Sequence, residues 1–478
     1  GLTPDHLDYF HHTYSRKAPN YYFHPKYQLG QWDGSISYFH KTGKTFVNLL
    51  SEIVPKLVAL NYEITIEDLR ICKFIRPPLV TKDHFAHIMD PETGEPLELR
   101  PYQVVGINAM ITNNGGIFKA GTGSGKTICN AALVDAYATY DNTIKTITIV
   151  PNTDLVEQTK TDFEYWGLDV GEYTGDCKDT NHTHVISTWQ ALQNNYSIIT
   201  QFNLVVVDEC HGLKGQVLQK LLNDYGNKIG LRFGLTGTIP KAETDAMSVR
   251  ICVGEVQYAI EAHELIQQDY LAKLHIDIFQ LDENFKDEYD EYMRDNPNAK
   301  LTYNQFRDGY FPDYTSEKSY LQKNNERIEW ISYLLQTKRD EKKGNVFCLV
   351  DGVNFGKKLA KAVPGAIFVH GKDKKKARKE IYNLFKDNDN LVVIATVHIA
   401  STGLNIKRIF NLVFIDVGKS FIRVIQTIGR GLRKAPDKDF VSVTDICTDL
   451  KYGRKHLRER IRFYKEAEYP YSKKKVKY

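Results

Sequence analysis

The stretch Gly121-Thr122-Gly123-Ser124-Gly125-Lys126-Thr127 leaves this chain few possible folds. Framed from Ala120, it fills the pattern G-x-x-x-x-G-K-[ST] with Ala in place of the first Gly. Small residues let backbone N–H groups close around phosphate oxygens, and Lys126 supplies a point charge for the β/γ-phosphates. The Thr127 hydroxyl suits Mg²⁺. Such a loop must leave a buried strand and enter a helix whose first amides face the phosphates. Gly116-Ile117-Phe118-Lys119 reads as that strand, and Ile128 to Tyr140, rich in Ala, as that helix. The alternation that follows implies an α/β chain with parallel sheets.

With 478 residues, about three domains are expected. No run of about 18 apolar residues occurs, so no membrane span is expected. The first residues, Gly1-Leu2-Thr3-Pro4-Asp5-His6, carry no charged-then-apolar leader pattern. The formal net charge is only +4, but residues 451–478 hold 11 Lys+Arg against 3 Glu, a local excess of 8 that favours a polyanion partner. The seven cysteines are scattered without C-x-x-C spacing, as expected for reduced thiols in a cytoplasmic compartment with no zinc site.

Residues 1 to about 85 read as a small separate module. Asp5 to Tyr14 and Phe46 to Leu60 are helix candidates, and Tyr21 to Phe39 reads as aromatic strand segments punctuated by Pro, Gly and Trp32-Asp33-Gly34. Those aromatics, interleaved with Lys26, Lys41 and Lys44, could stack on bases or form a small core. The module should be removable without unfolding the rest, because residues 81–98 read as a linker. Beyond it, strands are expected at 146–150, 185–190, 204–209 and 232–238. They end in polar groups: Pro151-Asn152, Thr188-Trp189-Gln190, Asp208-Glu209 and Thr236-Gly237-Thr238. Ligands of open α/β sheets sit at those carboxyl ends. Residues 255–340 look irregular, and 282–326, charged and aromatic, reads as a helical arm or a mobile linker. A second α/β pattern follows, with strands near 345–350, 366–369, 391–396, 411–415 and 440–445.

Asp208 ends an apolar strand in the P-loop sheet, which suits Mg²⁺, and Glu209 beside it would orient and deprotonate an attacking water. Gln426-Thr427-Ile428-Gly429-Arg430-Gly431-Leu432-Arg433 puts two arginines on one helical face, able to neutralise charge on a γ-phosphate. The cations of 372–379 could contact a nucleic-acid backbone or form a solvated helix face.

Taken together and in order, L-R-P-Y-Q around Gln103, the P-loop, P-N-T-D-L-V, S-T-W-Q, D-E-C-H, L-T-G-T, H-G, A-T through G-L-N, and Q-T-I-G-R-G-L-R resemble the superfamily 2 helicases and translocases. Tyr27, Gly30 and Trp32-Asp33-Gly34 further resemble the phage UvsW-type recombination helicases. The resemblance implies two RecA-like lobes and a small N-terminal α/β accessory domain. The implied spans are 1–88 accessory, 89–254 first lobe, 255–340 connecting, 341–450 second lobe and 451–478 basic tail.

It also implies ATP and Mg²⁺ as cofactors, held by Gln103, Gly121 to Thr127, Asp208 and Gly403. Catalysis would fall to Lys126, Asp208, Glu209, Gln426, Arg430 and Arg433. Thr236 and Thr238 would couple the lobes. Pro151, Asn152, Thr188, Trp189, Gln190, His370, Gly371 and Thr396 would hold the nucleic-acid backbone. Its expected substrate is branched DNA, its partners are single-strand-binding or recombination proteins, and the working form is a monomer in the cytoplasm, that of the host cell for a phage protein. An RNA helicase and a DNA-binding module with a vestigial ATP site are the alternatives.

Overall fold

The computed structural model describes residues 1–70, 75–90, 93–340, 344–370, 383, 385, 388–397, 408–418 and 438–478. Two compact units emerge, one from Gly1–Gly121 with Gly125–Ile260, the other from Glu261–Tyr478 together with the short loop Thr122–Ser124.

The first unit opens with a short antiparallel pair, β1 (Ser15–Lys17) and β2 (Ser35–Ser37). Its main sheet comprises β3 (Gly115–Ala120), β4 (Thr146–Val150), β5 (Val170–Tyr173), β6 (His184–Thr188), β7 (Leu204–Asp208), β8 (Leu231–Thr236) and β9 (Val256–Ile260). All seven are parallel, in the order β5-β6-β4-β7-β8-β3-β9. Every residue of β4, β6 and β8 is buried, as expected for strands covered by helices on both faces. Their β-branched and apolar side chains suit that burial, and the chain can turn polar only where a strand ends.

Residues 1–60 differ from the expected separable module. Phe10, Tyr14, Tyr38, Phe39, Leu49 and Ile53 share one hydrophobic cluster with Met247, Ile251 and Val253 of the helix Glu243–Val253. Polar links reinforce the seam. The Tyr38 hydroxyl donates to the Thr244 carbonyl at 3.1 Å, the Asn48 amide donates to the Ile251 carbonyl at 3.1 Å, and Arg250 pairs with Glu52 at 2.6 Å. Phe10, Tyr14, Tyr38 and Phe39 are therefore core, whereas Tyr22, Phe23 and Tyr27 remain exposed. The expected strands at 21–39 reduce to β2, because His24 and Pro25 start a short helix, Pro25–Gln28.

In the second unit the strands are β10 (Lys273–Leu281), β11 (Val346–Val350), β12 (Ile367–Val369), β13 (Val392–Thr396), β14 (Asn411–Ile415), β15 (Phe440–Thr448) and β16 (Tyr471–Val476). They too are all parallel, in the order β12-β13-β11-β14-β15-β10-β16. Two expectations change. The unit starts some 80 residues before 341, with β10 lying between β15 and β16. The span 282–326 is neither a solvated arm nor a linker. It forms helices Lys286–Asp295, Tyr303–Gly309 and Tyr314–Lys323, and Tyr303, Phe306 and Tyr320 of the last two pack around Phe285, Phe311, Leu321 and Leu450. Arg307 of that segment is buried on Asp449 at 2.9 Å. The basic tail is folded as well, into a helix Lys451–Glu466 and the edge strand β16.

Because Phe10 sits in the cluster that holds Ile251 and Val253, Phe10→Ala should lower the stability of the whole first unit. Truncating a buried Phe costs about 3–5 kcal/mol. Denaturant unfolding followed by Trp166 and Trp189 fluorescence is expected to shift as one transition. An unmoved tryptophan transition would mean that the N-terminal segment unfolds alone.

Candidate functional site

The carboxyl ends of the first unit's strands gather most of the expected residues. β3 runs into the loop at Gly121, and the helix Lys126–Tyr140 begins directly after it. Gly123 (φ 89°) and Gly125 (φ 79°) take left-handed backbone that turns the chain from strand to helix. A Cβ on Gly125 would also come within 2.5 Å of the Gln103 side-chain nitrogen. Gln103 is itself buried, and its Oε1 accepts the Arg100 backbone N–H at 2.8 Å. It thus lies against the closing glycine of the loop. The Lys126 ammonium donates to the Ala120 carbonyl at 3.1 Å. Ser124 is buried, while Thr122 and Thr127 are half-buried.

Asp208 is the last residue of β7, two strands from β3. Its Oδ1 accepts the Glu209 backbone N–H at 2.9 Å. Loss of solvent pushes its carboxyl up to about 6, the Glu209 charge adds to the rise, and Lys126 opposes it. The P-loop lysine and this carboxylate therefore feel each other. Glu209 itself has left-handed backbone (φ 50°), unusual for a residue with a Cβ, where the chain leaves the sheet for a short 3₁₀ turn at Cys210–Lys214. Strained backbone of this kind concentrates at functional positions.

One participant went unassigned in the sequence. His211 Nδ1 lies 3.2 Å from Glu209 Oε2 and 3.1 Å from Thr236 Oγ1. The Thr236 hydroxyl donates to the Thr238 carbonyl at 2.9 Å and accepts the Thr238 N–H at 3.3 Å. With its hydroxyl proton so used, Thr236 accepts from an Nδ1–H that also faces the Glu209 carboxylate. His211 thus stands between the Glu209 carboxylate and the Thr236 hydroxyl, which is itself bonded to Thr238. D-E-C-H spelled this histidine out, but only the fold shows that it bridges the ends of β7 and β8.

The expected nucleic-acid residues of this unit lie on the neighbouring strands β4 and β6, where Val150 pairs with Thr188. Asn152 caps the helix Thr153–Tyr165 by accepting the Leu155 N–H at 3.0 Å. Thr188 caps the helix Trp189–Gln193 in the same way, from Ala191 N–H at 3.3 Å. The Gln190 amide donates to the Pro151 carbonyl at 3.5 Å. Trp189 packs on the core cluster and, with Pro151, Glu209 and His211, lines a cavity of about 250 Å³. Two side chains picked for ligand contact are thus occupied as helix caps.

In the second unit, His370 follows β12 and Thr396 ends β13, on paired strands. Gly371, Gly403, Gln426, Arg430 and Arg433 lie outside the described residues.

Two family descriptions match the chain: "Type III restriction enzyme, res subunit" over residues 96–241, and "Helicase conserved C-terminal domain" over 326–435. The ATP-dependent DNA helicase uvsW of Enterobacteria phage T4 is 24% identical, over 97% of this chain and 94% of that protein. This chain is a superfamily 2 helicase resembling phage UvsW. The helicase is also 27% identical to the DNA 3'-5' translocase XPB2 of Sulfurisphaera tokodaii, over 39% of this chain and 41% of that one. At the level of fold it is similar to the ATP-dependent type ISP restriction-modification enzyme LlaBIII, with a TM-score of 0.56 and 15% identity over 80% of this chain and 31% of that one. It is an ATP-hydrolysing enzyme that acts on nucleic acid. No described helix is long and apolar enough to cross a membrane.

The P-loop fits a nucleotide triphosphate. Gly125 leaves backbone where a Cβ would clash, and the helix Lys126–Tyr140 begins directly after it. Among the described residues no three His, Cys, Asp or Glu side chains gather as a metal cage. A lone carboxylate such as Asp208 instead suits an ion held jointly by protein and phosphates.

A cation bound at Asp208 must displace its proton. The carboxyl is raised to about 6, so protonation competes below that pH, whereas an ordinary Asp would not compete until near 4. Divalent-cation affinity should fall as pH drops through about 6, by about tenfold per unit. Mn²⁺ binding read by electron paramagnetic resonance, with a non-hydrolysable ATP analogue, checks this. A flat profile down to pH 5 would contradict it.

Proposed function

We propose that the chain is an ATP- and Mg²⁺-dependent DNA helicase or translocase that acts on branched DNA such as forks, four-way junctions and R-loops. The observation that carries this reading is the meeting of Lys126, Asp208 and Glu209 at the carboxyl ends of β3 and β7, with Glu209 linked through His211 to Thr236. In this reading Gln103 reads adenine, and Gly121 to Thr127 with Gly403 hold the nucleotide. Thr127 and Asp208 ligate Mg²⁺, and Glu209 orients and deprotonates water. Gln426, Arg430 and Arg433 complete the chemistry at the γ-phosphate. Pro151, Asn152, Thr188, Trp189, Gln190, His370, Gly371 and Thr396 line the nucleic-acid path. Asn152 and Thr188, tied up as caps, contribute there through backbone N–H groups.

The choice of DNA over RNA is supported by the relative named as a DNA helicase, whose match spans nearly the whole of both chains. The buried thiols of Cys129, Cys210, Cys252, Cys348 and Cys447 suit a reducing cytoplasm. Single-strand-binding or recombination proteins are natural partners for such an enzyme.

The deciding experiment is ATPase and unwinding on forks, four-way junctions, R-loops, linear DNA duplexes and RNA duplexes. Forks and junctions are expected to stimulate most. Strongest stimulation by RNA duplex would turn the reading to an RNA helicase, and no stimulation by any substrate would sink it.

Two variants probe the chemistry. Glu209→Gln should keep ATP and DNA binding but stop turnover, and near-normal ATPase would remove Glu209 from the base role. Arg433→Ala should cost turnover far more than ATP affinity, since arginines of this kind contribute about 10³–10⁵ in rate. An unaltered kcat would exclude that role.

A further inference from the structure

We infer that the helix Lys451–Glu466 is a second DNA surface, one that carries the phosphate backbone of a duplex arm. The inference rests on DNA being the substrate. Lys451, Lys455, Arg458, Arg462 and Lys465 follow one another at alternating spacings of four and three, so they form a single line along the helix. All five are exposed. The opposite face, with Leu457, Arg460, Phe463 and Tyr464, is buried.

Other cations of the segment are spent internally. Arg460 is buried on Asp445 at 2.8 Å, Arg454 pairs with Asp308 at 2.6 Å, and Lys475 approaches Asp449 at 3.7 Å. In the line, Arg462 meets Glu466 at 3.1 Å. Lys451, Lys455, Arg458 and Lys465 form no ion pair among the described residues. The arrangement works against the helix itself. Like charges three and four residues apart repel, and Lys451 stands at the positive end of the helix dipole. Two acids of the helix, Glu459 and Glu466, stand beside Arg462 at 3.9 and 3.1 Å, and neither pairs with the other four cations. The five cations still form one continuous line on the solvent side.

From Lys451 to Lys465 the line extends about 21 Å. A DNA strand presents a phosphate about every 3.4 Å of duplex axis, so the line spans roughly six. The chemistry favours a duplex over the alternatives. Single-strand sites interleave cations with exposed aromatic platforms, but Phe463 and Tyr464 are buried, and the Tyr452 hydroxyl is bound to the Pro312 carbonyl at 3.0 Å. A membrane-surface helix needs an apolar face to insert, and the apolar face here packs inward. The lysines of the edge strand β16 also serve to prevent edge-to-edge pairing, so the inference is confined to the helix.

The test is the combined variant Lys451→Gln, Lys455→Gln, Arg458→Gln and Lys465→Gln in the full chain. Its affinity for a fork with a long duplex arm, and for a single strand of equal length, is measured by fluorescence anisotropy over a salt series. For the fork, the slope of log K against log[salt] should shrink by up to about 3.6, at 0.9 per lost contact. Single-strand affinity and single-strand-stimulated ATPase should hold. Thermal melting followed by circular dichroism should stay level or rise, because repulsion is relieved, which separates lost contact from lost fold. An unchanged fork slope, equal loss on both DNAs, or a fork loss reproduced only by Lys473→Gln with Lys474→Gln would overturn the inference. If the unaltered protein binds no fork, the branched-DNA reading fails instead. If it binds and the variant matches it, only the role of this helix falls.

Discussion

Everything that can touch a phosphate in this protein depends on one turn of backbone. β3 is covered on both faces, so its chain must leave through the strand's end, and it must aim helix N–H groups back toward that end. Gly123 and Gly125 do this with left-handed backbone, and at Gly125 the Gln103 side chain leaves no room for a Cβ. The same exit rule applies to β4, β6, β7 and β8, whose ends bring Pro151, Thr188, Asp208 and Thr236 to one side of the sheet. Burial then raises the Asp208 carboxyl, and the strained backbone at Glu209 delivers His211 to Thr236. Packing of the strands and chemistry of the site are thus one constraint.

Buried charge organises the second unit. Arg327 is wholly buried between Glu283 at 3.3 Å and Asp416 at 2.8 Å, and the Tyr478 hydroxyl donates to Glu283 at 2.5 Å. Arg460 is fixed by Asp445, which also accepts the Tyr464 hydroxyl at 2.9 Å. Removing one partner of such a pair typically costs about 3–5 kcal/mol, since the other charge stays buried. Through Arg327 these pairs hold the helix Asn325–Asp340, and through Arg460 and Tyr464 the helix Lys451–Glu466, to the sheet. A composition rich in charge therefore says little about exposure in this unit, where the charges divide between an interior network and an outward line.

What the sequence alone determined is local. The P-loop, the strand ends and the D-E-C-H carboxylates follow from short-range rules: an apolar β-branched run becomes a buried strand, and glycine permits the turn. β4 and β14 occupy the spans read from the sequence, and Asp208 closes β7. What only the tertiary structure decided depends on contacts between distant segments. β10 joins its sheet by pairing with β15, over 160 residues away, and neither strand's pattern names its partner. The aromatics of residues 1–60 look the same whether they await bases or a core, and only folding divided them, burying Phe10, Tyr14, Tyr38 and Phe39 in the cluster of Met247 and Ile251 while Tyr22, Phe23 and Tyr27 stayed exposed. Asn152 and Thr188 are polar residues at strand ends by sequence, and helix caps by geometry. His211 was legible as a letter of a motif, but its bridge to Thr236 exists only because parallel pairing sets β7 beside β8. Periodicity and turn chemistry are written residue by residue, whereas partner, burial and the fate of a charge are set by whatever the folded chain places opposite.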